Sequence, residues 1–553
     1  MCGIFAILNN LSIDKGYIEN QFNKGKNRGP DDSWLMDLFV INCMLGFHRL
    51  AINGLNPQSN QPFYIHNIFL VCNGEIYNYK ELYRLMGENM DADYKDLDTE
   101  CIRTTDSDCE IIIHLYLKYG IDQTIKMLDG EFSFILIDTR LDTKKMFVGR
   151  DPYGVRPLYI LEKQYKTATR DIIAFASEVK QIIEFQDEGY CISHFQPGTI
   201  SCYEVTTIDY VSSEIWTLKY QTKYHQNLFS YSSLYARKVN YEFIFKNIHN
   251  HLLAAVAKRC CCTERPIACL LSGGLDSSLV TALVKKLEKN VDTYSIGFEN
   301  SEDLVYAKKV SEYVGTNHHE IIMTKEEYLN AIPLVIQMIE SYDTTTVRAS
   351  VGNYLVAKYI SQTSEAKVIL NGDGSDELCG GYLYMRNCPD PIEFDKETRR
   401  LLRNIHYFDV LRSDKCISSN GLEARTPFLD LAFVQYYLSI DPSVRFQKEQ
   451  MEKYILRKAF SGYNYLPEEI LWRKKEAFSD GITTESIPKI INDYLLENFN
   501  HLHNDSQTLE EAYYKYIFEQ HYPNTNIIPY YWKPKYINID GHIDPSARLL
   551  FNT

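Results

Sequence analysis

Two places in the chain put reactive groups where backbone geometry can use them. The first is Leu270-Leu271-Ser272-Gly273-Gly274-Leu275-Asp276-Ser277-Ser278. An apolar run from Ile267 precedes it, and Leu279, Val280, Leu283, Val284 and Leu287 follow at the spacing of one helix face. The expected order is strand, glycine turn, helix. Paired glycines let the backbone turn tightly and approach a ligand, while Ser272, Ser277 and Ser278 add hydroxyls beside the free N–H groups of a helix start. That arrangement suits phosphate, but it is not the common P-loop, which needs a lysine at fixed spacing. A Gly/Ser-rich turn without a ligand is the plainer alternative. The second place is Cys2, at the head of a strand-like run, Gly3 to Leu8. If Met1 is removed, Cys2 carries a thiol and an α-amine whose pKa is about 7.7–8.0, so one residue supplies nucleophile and base.

The elements that must position these groups fall into two halves. In the first, Gly46 to Ile52 reads as a strand carrying Arg49. Phe69 to Cys72 reads as a short strand ending in Asn73-Gly74-Glu75-Ile76-Tyr77-Asn78, and Asp106 to Glu110 opens a helix with Ile111, Ile112, Leu115 and Tyr116 as its apolar positions. Asp108 could simply cap that helix. Arg28, in Lys26-Asn27-Arg28-Gly29-Pro30-Asp31, is expected to order its loop. In the second half, Phe243 begins a helical pattern. Strands at Thr293 to Phe298, Glu320 to Ile322 and Lys367 to Leu370 then alternate with helices such as Asp303 to Val314, which predicts a parallel sheet flanked by helices. Ligands in such sheets bind beyond the carboxyl ends of the strands. Those ends carry Ser272-Gly273-Gly274, Ser295-Ile296-Gly297 and Asn371-Gly372-Asp373-Gly374-Ser375-Asp376-Glu377. Acidic side chains beside a triphosphate suggest Mg²⁺, although an acidic surface turn would look the same.

The stretch around Ser272 resembles the S-G-G-x-D-S signature of the ATP pyrophosphatases, which adenylate a carboxylate or amide. Over roughly residues 1–200 the chain resembles class II glutamine amidotransferases. The matching motifs are Cys2, Arg49, Asn73-Gly74-Glu75, Asp108, Gly149-Arg150-Asp151-Pro152-Tyr153-Gly154 and Ser177-Glu178-Val179-Lys180. The resemblance implies an α+β N-terminal-nucleophile hydrolase sandwich (αββα) followed by an α/β parallel-sheet ATP-pyrophosphatase domain. It makes Cys2 the nucleophile on the glutamine side-chain amide, with Asn73 and the Gly74 N–H as oxyanion hole. It assigns Arg49 to the glutamine α-carboxylate and Asp108 and Glu75 to its amine, and it extends the glutamine site to Leu50, Ala51, Ile52 and Asn53.

With Glu340-Ser341-Tyr342-Asp343-Thr344-Thr345-Thr346-Val347-Arg348-Ala349-Ser350 and Trp472 to Gly481 added, the chain resembles the glutamine-hydrolysing asparagine synthetases from Met1 to about Gly481. The resemblance fades after about residue 490. It implies asparagine made from aspartate, ATP and ammonia taken from glutamine, through β-aspartyl-AMP, with the ammonia moving inside the protein. It places ATP and pyrophosphate at Leu270, Ser272, Gly273, Gly274, Asp276, Ser277, Ser278, Ile296, Asp303, Asn371 and Gly372. Asp373 and Lys475 become catalytic, Asp409 and Arg412 line the far wall, and Asp276 and Asp376 become ligands for Mg²⁺. One departure stands out: the family reads S-G-E-G where this chain has Asn371-Gly372-Asp373-Gly374, so an aspartate replaces a longer glutamate. Amidation of another carboxylate, or a silenced synthetase kept for binding, are the competing readings.

Length and charge agree with two enzymatic halves. At 553 residues, and about 150 per domain, two to four domains are expected. The boundaries are read as a glutaminase domain over 1–205, a linker over 206–240 where periodicity fails, a synthetase domain over 241–500 and a polar tail over 501–553. A net charge of −15, from 58 basic and 73 acidic residues with no basic block, argues against nucleic acid as a partner. No apolar run of about 18 residues and no charged-then-apolar start appears, so neither a membrane span nor export is expected, and the reading is cytoplasmic. Fourteen cysteines without C-x-x-C pairs read as reduced thiols, and Cys260-Cys261-Cys262 as helix packing rather than metal ligands. Relatives of this kind are often dimeric, which makes a homodimer one expectation.

Overall fold

The computed structural model describes residues 1–87, 103–140, 142–164, 171–208, 213–226, 239–475, 481–483, 486–502 and 508–536. They form two compact units. The first is Met1–Gln226 with Cys262–Arg265 and Asn524–Ile527; the second is Asn227–Cys261, Pro266–Pro523 and Ile528–Thr553.

The first unit is built on two six-stranded antiparallel sheets. One runs in the order Tyr190–His194, Tyr159–Lys163, Ile173–Ala176, Gly3–Leu8, Cys43–Arg49, Asp32–Leu38; the other runs Ser213–Lys223, Thr199–Ile208, Lys145–Arg150, Gly130–Asp138, Ile68–Ile76, Phe63–Ile65. Side chains alternate between faces along a strand. Thus Ile4, Ala6, Leu8, Leu45 and Phe47 of the first sheet meet Val71, Ile135, Ile137 and Val148 of the second in a buried layer between the sheets. Leu70, Cys72, Phe132, Phe134 and Leu136 point the other way and pack on Leu82, Ile112, Leu115 and Ile125, which lie on the helices Tyr79–Leu85, Ile111–Tyr119 and Ile121–Met127. On the outer face of the first sheet, Phe22 from the helix Lys15–Asn23 stacks on His48 at 3.9 Å. The layers are helix, sheet, sheet, helix. Each fully buried Leu, Ile or Phe contributes about 1.5–3 kcal/mol to holding them together.

Two sequence expectations change here. Asn73, Gly74, Glu75 and Ile76 do not follow the strand but continue it to Ile76, with Asn73 opposite Ser133 and Glu75 opposite Glu131. The expected linker over 206–240 contains a long strand, Ser213–Lys223, paired with Thr199–Ile208. Its burial is confined to the first half, Ile215 and Trp216, whereas Lys219 to Lys223 are exposed; Trp216 is 1% exposed and donates its indole N–H to the carbonyl of Ile41 at 2.6 Å. Residues 209–212 and 227–238 lie outside the described residues.

The second unit carries a five-stranded sheet in the order Asn317–Ile322, Asp292–Gly297, Ile267–Leu270, Val368–Leu370, Glu423–Arg425, with every pairing parallel. Strand order reverses between Ile267–Leu270 and Val368–Leu370, whose registers are Ile267 with Val368 and Cys269 with Leu370. A switch point of this kind opens a crevice at the strands' carboxyl ends. The loops leaving these two strands are Leu271–Gly274 and Asn371–Gly374. The helices Leu275–Leu287, Thr344–Thr363 and Asp409–Ser418 pack on or beside the sheet. The tail is not merely polar: residues 509–521 form a helix with a complete capping box between Thr508 and Glu511. Residues 503–507 and 537–553 lie outside the described residues, as do 476–480 of the Trp472 to Gly481 stretch. Among the described residues no helix is long and apolar enough to cross a membrane.

Candidate active sites

In the first unit, alternation along Gly3–Leu8 and Ile68–Ile76 turns Cys2 and Asn73 toward the same inter-sheet layer as Ile4 and Val71. The Cys2 thiol lies 3.5 Å from both the N–H and the carbonyl oxygen of Leu50, and its carbonyl accepts from Arg28 Nε at 2.9 Å. Arg28 is itself held by Glu178 at 3.0 Å, both fully buried, so it orders the start of the strand as expected. Asn73 is completely buried, and neither its Nδ2 nor its Oδ1 has a hydrogen-bond partner among the described residues. An unsatisfied buried amide of this sort costs about 1–3 kcal/mol unless a ligand completes it. At Gly74 a Cβ would collide with the carbonyl oxygen of Glu131, so the neighbouring strand itself demands glycine.

Asp108 is not the helix cap. Ser107 caps the turn, accepting from the Cys109 N–H at 3.3 Å, while Asp108 Oδ2 turns back to accept from the Ile76 N–H at 2.6 Å. Asn53 Nδ2 sits 2.5 Å from Glu75 Oε2, 3.5 Å from Asp108 Oδ1 and 3.4 Å from Cys262 Sγ. Ligand atoms of Glu75, Asp108 and Cys262 lie within 4.8 Å of one another. This is a spot for a hydrogen-bond-donating cation. Of the three adjacent cysteines, only Cys262 reaches it; Cys260 is buried elsewhere and Cys261 is exposed. Arg49 is held by the carbonyls of Gly54 and Asn56 and by Asn60 Oδ1. Beside it, the Ala51 N–H donates to Asp31 at 2.8 Å, and the Ile52 carbonyl accepts from the Glu264 N–H at 3.0 Å. The cysteines among the described residues are free thiols.

In the second unit the two switch-point loops wall a cavity of about 260 Å³. Leu270, Ser272, Gly274, Asp276, Ser277, Ile296, Asp303, Asn371, Gly372, Asp373, Asp376, Asp409, Arg412 and Lys475 all line it. Gly273 and Ser278 stand behind the wall. Gly273 has φ +71°, and a Cβ on it would lie 2.5 Å from the Ala307 N–H nitrogen on the helix Glu302–Val314. Ser278 is fully buried, its Oγ without a partner among the described residues. The loops abut: a Cβ on Gly372 would lie 2.8 Å from Asp276 Cβ. The Ser272 and Ser277 hydroxyls are 3.0 Å apart at the start of the helix Leu275–Leu287.

A compact charge cluster joins these loops. Asp276 accepts from Lys453 Nζ at 2.6 Å and from Ser375 Oγ at 2.8 Å. Asp376 lies 2.5 Å from Lys453 and 2.6 Å from Lys475. Burial opposes the charge on Asp376, but the two lysines outweigh it and hold its carboxyl well below the usual range; burial likewise opposes charge on Lys475, and the carboxylates raise it. Next to it, the Tyr382 hydroxyl is 2.6 Å from Glu377 Oε1 and 2.8 Å from Asp409 Oδ2. Burial first, and the charge of Asp409 second, push Glu377 well above the carboxylate range, so it holds a proton between the two carboxyls. Asp409 is also buried, yet the Glu377 hydrogen bond and Arg412 keep it ionised. Arg412 Nη2 lies 3.0 Å from both Asp409 and Asp373. Carboxylate oxygens at Asp276 and Asp376 are a donor set that fits a hard divalent cation bound with phosphate.

Several site residues have no motif of their own in the sequence. Lys453 is 5% exposed and has φ +57°, a left-handed conformation unusual for a long side chain. Glu377 and Tyr382 belong to motifs that read as a metal loop and a glycine turn, but their pairing with Asp409 joins segments 27 and more residues apart. The tail also enters the cavity, through Trp532 and Pro534. Trp532 N–H donates to Asp343 Oδ1 at 2.6 Å, and Arg348 Nε donates to Glu510 at 2.8 Å. Asp343 and Arg348 sit in the Ser341 to Ser350 motif, whose Thr345, Thr346 and Arg348 line the same cavity. Burial of Asp343 and Arg348 was the missing information.

A glutamine amidotransferase domain model matches residues 1–196, and an asparagine synthase model matches 247–392 and 387–527. The asparagine synthetases (glutamine-hydrolyzing) of Cricetulus griseus and Rattus norvegicus are each 40% identical to the chain over 592 residues, covering 100% of it and 98% of their own length. That of Homo sapiens is 39% identical with the same coverage. The likeness therefore does not stop near residue 490 but includes the tail. The chain belongs to the family of glutamine-hydrolysing asparagine synthetases.

Proposed function

We propose that the chain makes L-asparagine from L-aspartate, using ATP and ammonia taken from L-glutamine. The observation that supports this most is the Asp276, Asp376, Lys453 and Lys475 cluster where the Ser272 and Asn371 loops meet at the switch point. There the aspartate β-carboxylate attacks the α-phosphorus of ATP and pyrophosphate leaves. Gly274, the Leu275 helix start and Ser272 and Ser277 receive the departing phosphates, and Lys475 meets the charge that develops on them. Mg²⁺ would be held by Asp276 and Asp376 and would neutralise the triphosphate. Asn371, Gly372, Ile296 and Asp303 take the nucleoside side, and Asp373 with Arg412 faces the acyl group. Ammonia then attacks β-aspartyl-AMP, giving asparagine and AMP.

The first unit, read as an N-terminal-nucleophile hydrolase, supplies the ammonia. With Met1 removed, the Cys2 α-amine takes the thiol proton, the thiolate attacks the glutamine amide, the α-ammonium returns that proton to the leaving nitrogen, and ammonia departs from a thioester that water converts to glutamate and free thiol. Asn73 Nδ2 and the Gly74 N–H stabilise the oxyanion, which explains why Asn73 is buried with its amide unspent. Arg49 binds the α-carboxylate. Asp108 and Glu75 bind the α-ammonium at the point that Asn53 Nδ2 now occupies.

The test is pyrophosphate release from ATP with aspartate and Mg²⁺, supplying either ammonia or glutamine, on protein of confirmed mass. Both nitrogen sources should work, and Cys2→Ala should abolish the glutamine route alone. Glutamine hydrolysis without any aspartate-dependent pyrophosphate would refute the synthetase assignment.

A further inference from the structure

The nucleotide half of the synthetase cavity is accounted for by the two switch-point loops. Its other half is walled by side chains from three separate segments: Asp373, Glu377 and Tyr382 after the strand Val368–Leu370, Asp409 and Arg412 on the helix Asp409–Ser418, and Trp532 and Pro534 from the tail. The last is the least expected, because an exposed C-terminal strap has few reasons to line a charged cavity. It is tied there at several points. The Trp532 N–H bonds to Asp343, whose second oxygen caps the helix Thr344–Thr363 through the Thr346 N–H at 3.0 Å. Tyr530 OH meets Asn404 Nδ2 at 2.7 Å and its ring packs on Phe408 at 5.4 Å. The Trp532 indole lies 5.2 Å from Tyr382 and 6.1 Å from Tyr384, ring to ring, and so covers the tyrosine whose hydroxyl bridges Glu377 and Asp409.

We infer that the strap Tyr530–Pro534 completes the binding site for the acyl substrate, a small amino-dicarboxylate, and that Trp532 is a positioning residue that fixes Tyr382 and its carboxyl pair against that substrate. The inference rests on the synthetase reading above. Its physical content is exclusion of water. The contacts of the Tyr382 hydroxyl with Glu377 and Asp409, at 2.6 and 2.8 Å, hold best where water is kept from them, and the indole is the cover on their tail side. Both oxygens of Asp343 accept N–H or O–H donors, so an amide there must turn its NH₂ toward one of them and release either the helix start or the strap. The Ser341 to Ser350 motif thus serves the site twice, by lining it and by holding the strap over it.

The test uses full-length protein, saturating ammonia in place of glutamine, and pyrophosphate release as the readout. Trp532→Ala should raise the KM for aspartate at least tenfold, while the KM for ATP and the glutaminase rate change less than twofold; Trp532→Phe should return the aspartate KM to within threefold of the starting protein. Asp343→Asn should shift the aspartate KM in the same direction as Trp532→Ala. An unchanged aspartate KM in Trp532→Ala, or an equal rise for ATP and aspartate, overturns the inference. Should Trp532→Ala fail to fold, tryptophan emission decides: aspartate added with AMP should change it in the starting protein and leave Trp532→Phe unchanged, and a full response in the Phe variant refutes the assignment. A starting protein that releases no pyrophosphate with aspartate refutes the synthetase reading instead.

Discussion

At the scale of single residues, the synthetase cavity is governed by how four charges are neutralised in a small space. Lys453 and Lys475 face Asp276 and Asp376, and the N–H of Lys475 also donates to Glu452 at 3.0 Å. Lys453 is the more committed of the two, because it is the more deeply buried, bonds both carboxylates and Ser375, and holds a left-handed backbone to do so. Removing it leaves two buried carboxylates sharing one cation. Breaking a buried ion cluster from one side costs about 3–5 kcal/mol, and loss of a preorganised charge aimed at a transition state lowers turnover by roughly 10²- to 10³-fold. Lys453→Met should therefore cut aspartate-dependent pyrophosphate release by about two orders of magnitude while glutamine hydrolysis stays within twofold. Both rates come from one preparation, and a synthetase rate that survives the substitution would show that Lys475 alone does the work. The aspartate at 373 has a partner: Arg412 reaches it at 3.0 Å, so the shorter side chain is anchored by a guanidinium.

At the scale of elements, the determining feature is the approach of backbone to backbone at the switch point. Gly273 packs on the helix Glu302–Val314 with φ +71°, and a methyl group there meets Ala307 and Tyr306 backbone at 2.5 Å. Gly273→Ala combines a left-handed L-residue with a steric clash, each costing about 1–3 kcal/mol. Urea unfolding of the second unit should shift by at least about 2 kcal/mol, with the Ser272–Gly274 turn displaced and the KM for ATP raised; a variant as stable as its parent would mean that the helix gives way freely. This turn was legible in the sequence because glycine, strand and helix signals coincide within a dozen residues. The strands at Asp292–Gly297 and Asn317–Ile322 and the helix Glu302–Val314 were legible for the same local reason. Three other elements were not. The strand Ile68–Ile76 reads as ending at Cys72 because the apolar run stops there and Asn-Gly follows, and only pairing with Gly130–Asp138 carries it on to Ile76. The strand Ser213–Lys223 reads as a linker because, past Ile215 and Trp216, most of its side chains are polar and exposed. The strap Tyr530–Pro534 has no periodicity at all, and its place is set by Asp343 and Tyr382, far away in sequence.

At the scale of the whole molecule, two chemistries reside on two units of different architecture, and the first unit carries a pH dependence of its own. In the first, His48 is fully buried between its strand and the ring of Phe22, with Nε2 at 2.9 Å from the Phe22 carbonyl and Nδ1 at 2.7 Å from Ser33 Oγ. One nitrogen must donate to the carbonyl and the other can accept from the hydroxyl, which is the neutral ring. Burial first, and nearby Lys26 in the same direction, lower its pKa to about 4, against the opposing pull of the Phe22 carbonyl and Glu178. In the unfolded chain the same ring titrates near 6.5. Between those values the unfolded state binds the proton and the native state does not, so stability rises with pH through this window. It is fully present above about 6.5 and is lost as pH falls toward 4, by at most about 1.4 kcal/mol per pH unit from this one side chain. His48→Gln keeps a donor for the Phe22 carbonyl and removes the titration. Urea unfolding of the first unit, followed through buried Trp216, should accordingly show a shallower loss of stability from pH 6.5 to 4 in His48→Gln than in the parent, with the two curves parallel above pH 7. Curves that stay parallel down to pH 4 would mean that His48 takes up its proton in the native state, and that acid sensitivity of this unit belongs to its carboxylates, with the buried Glu178 that holds Arg28 the first to examine.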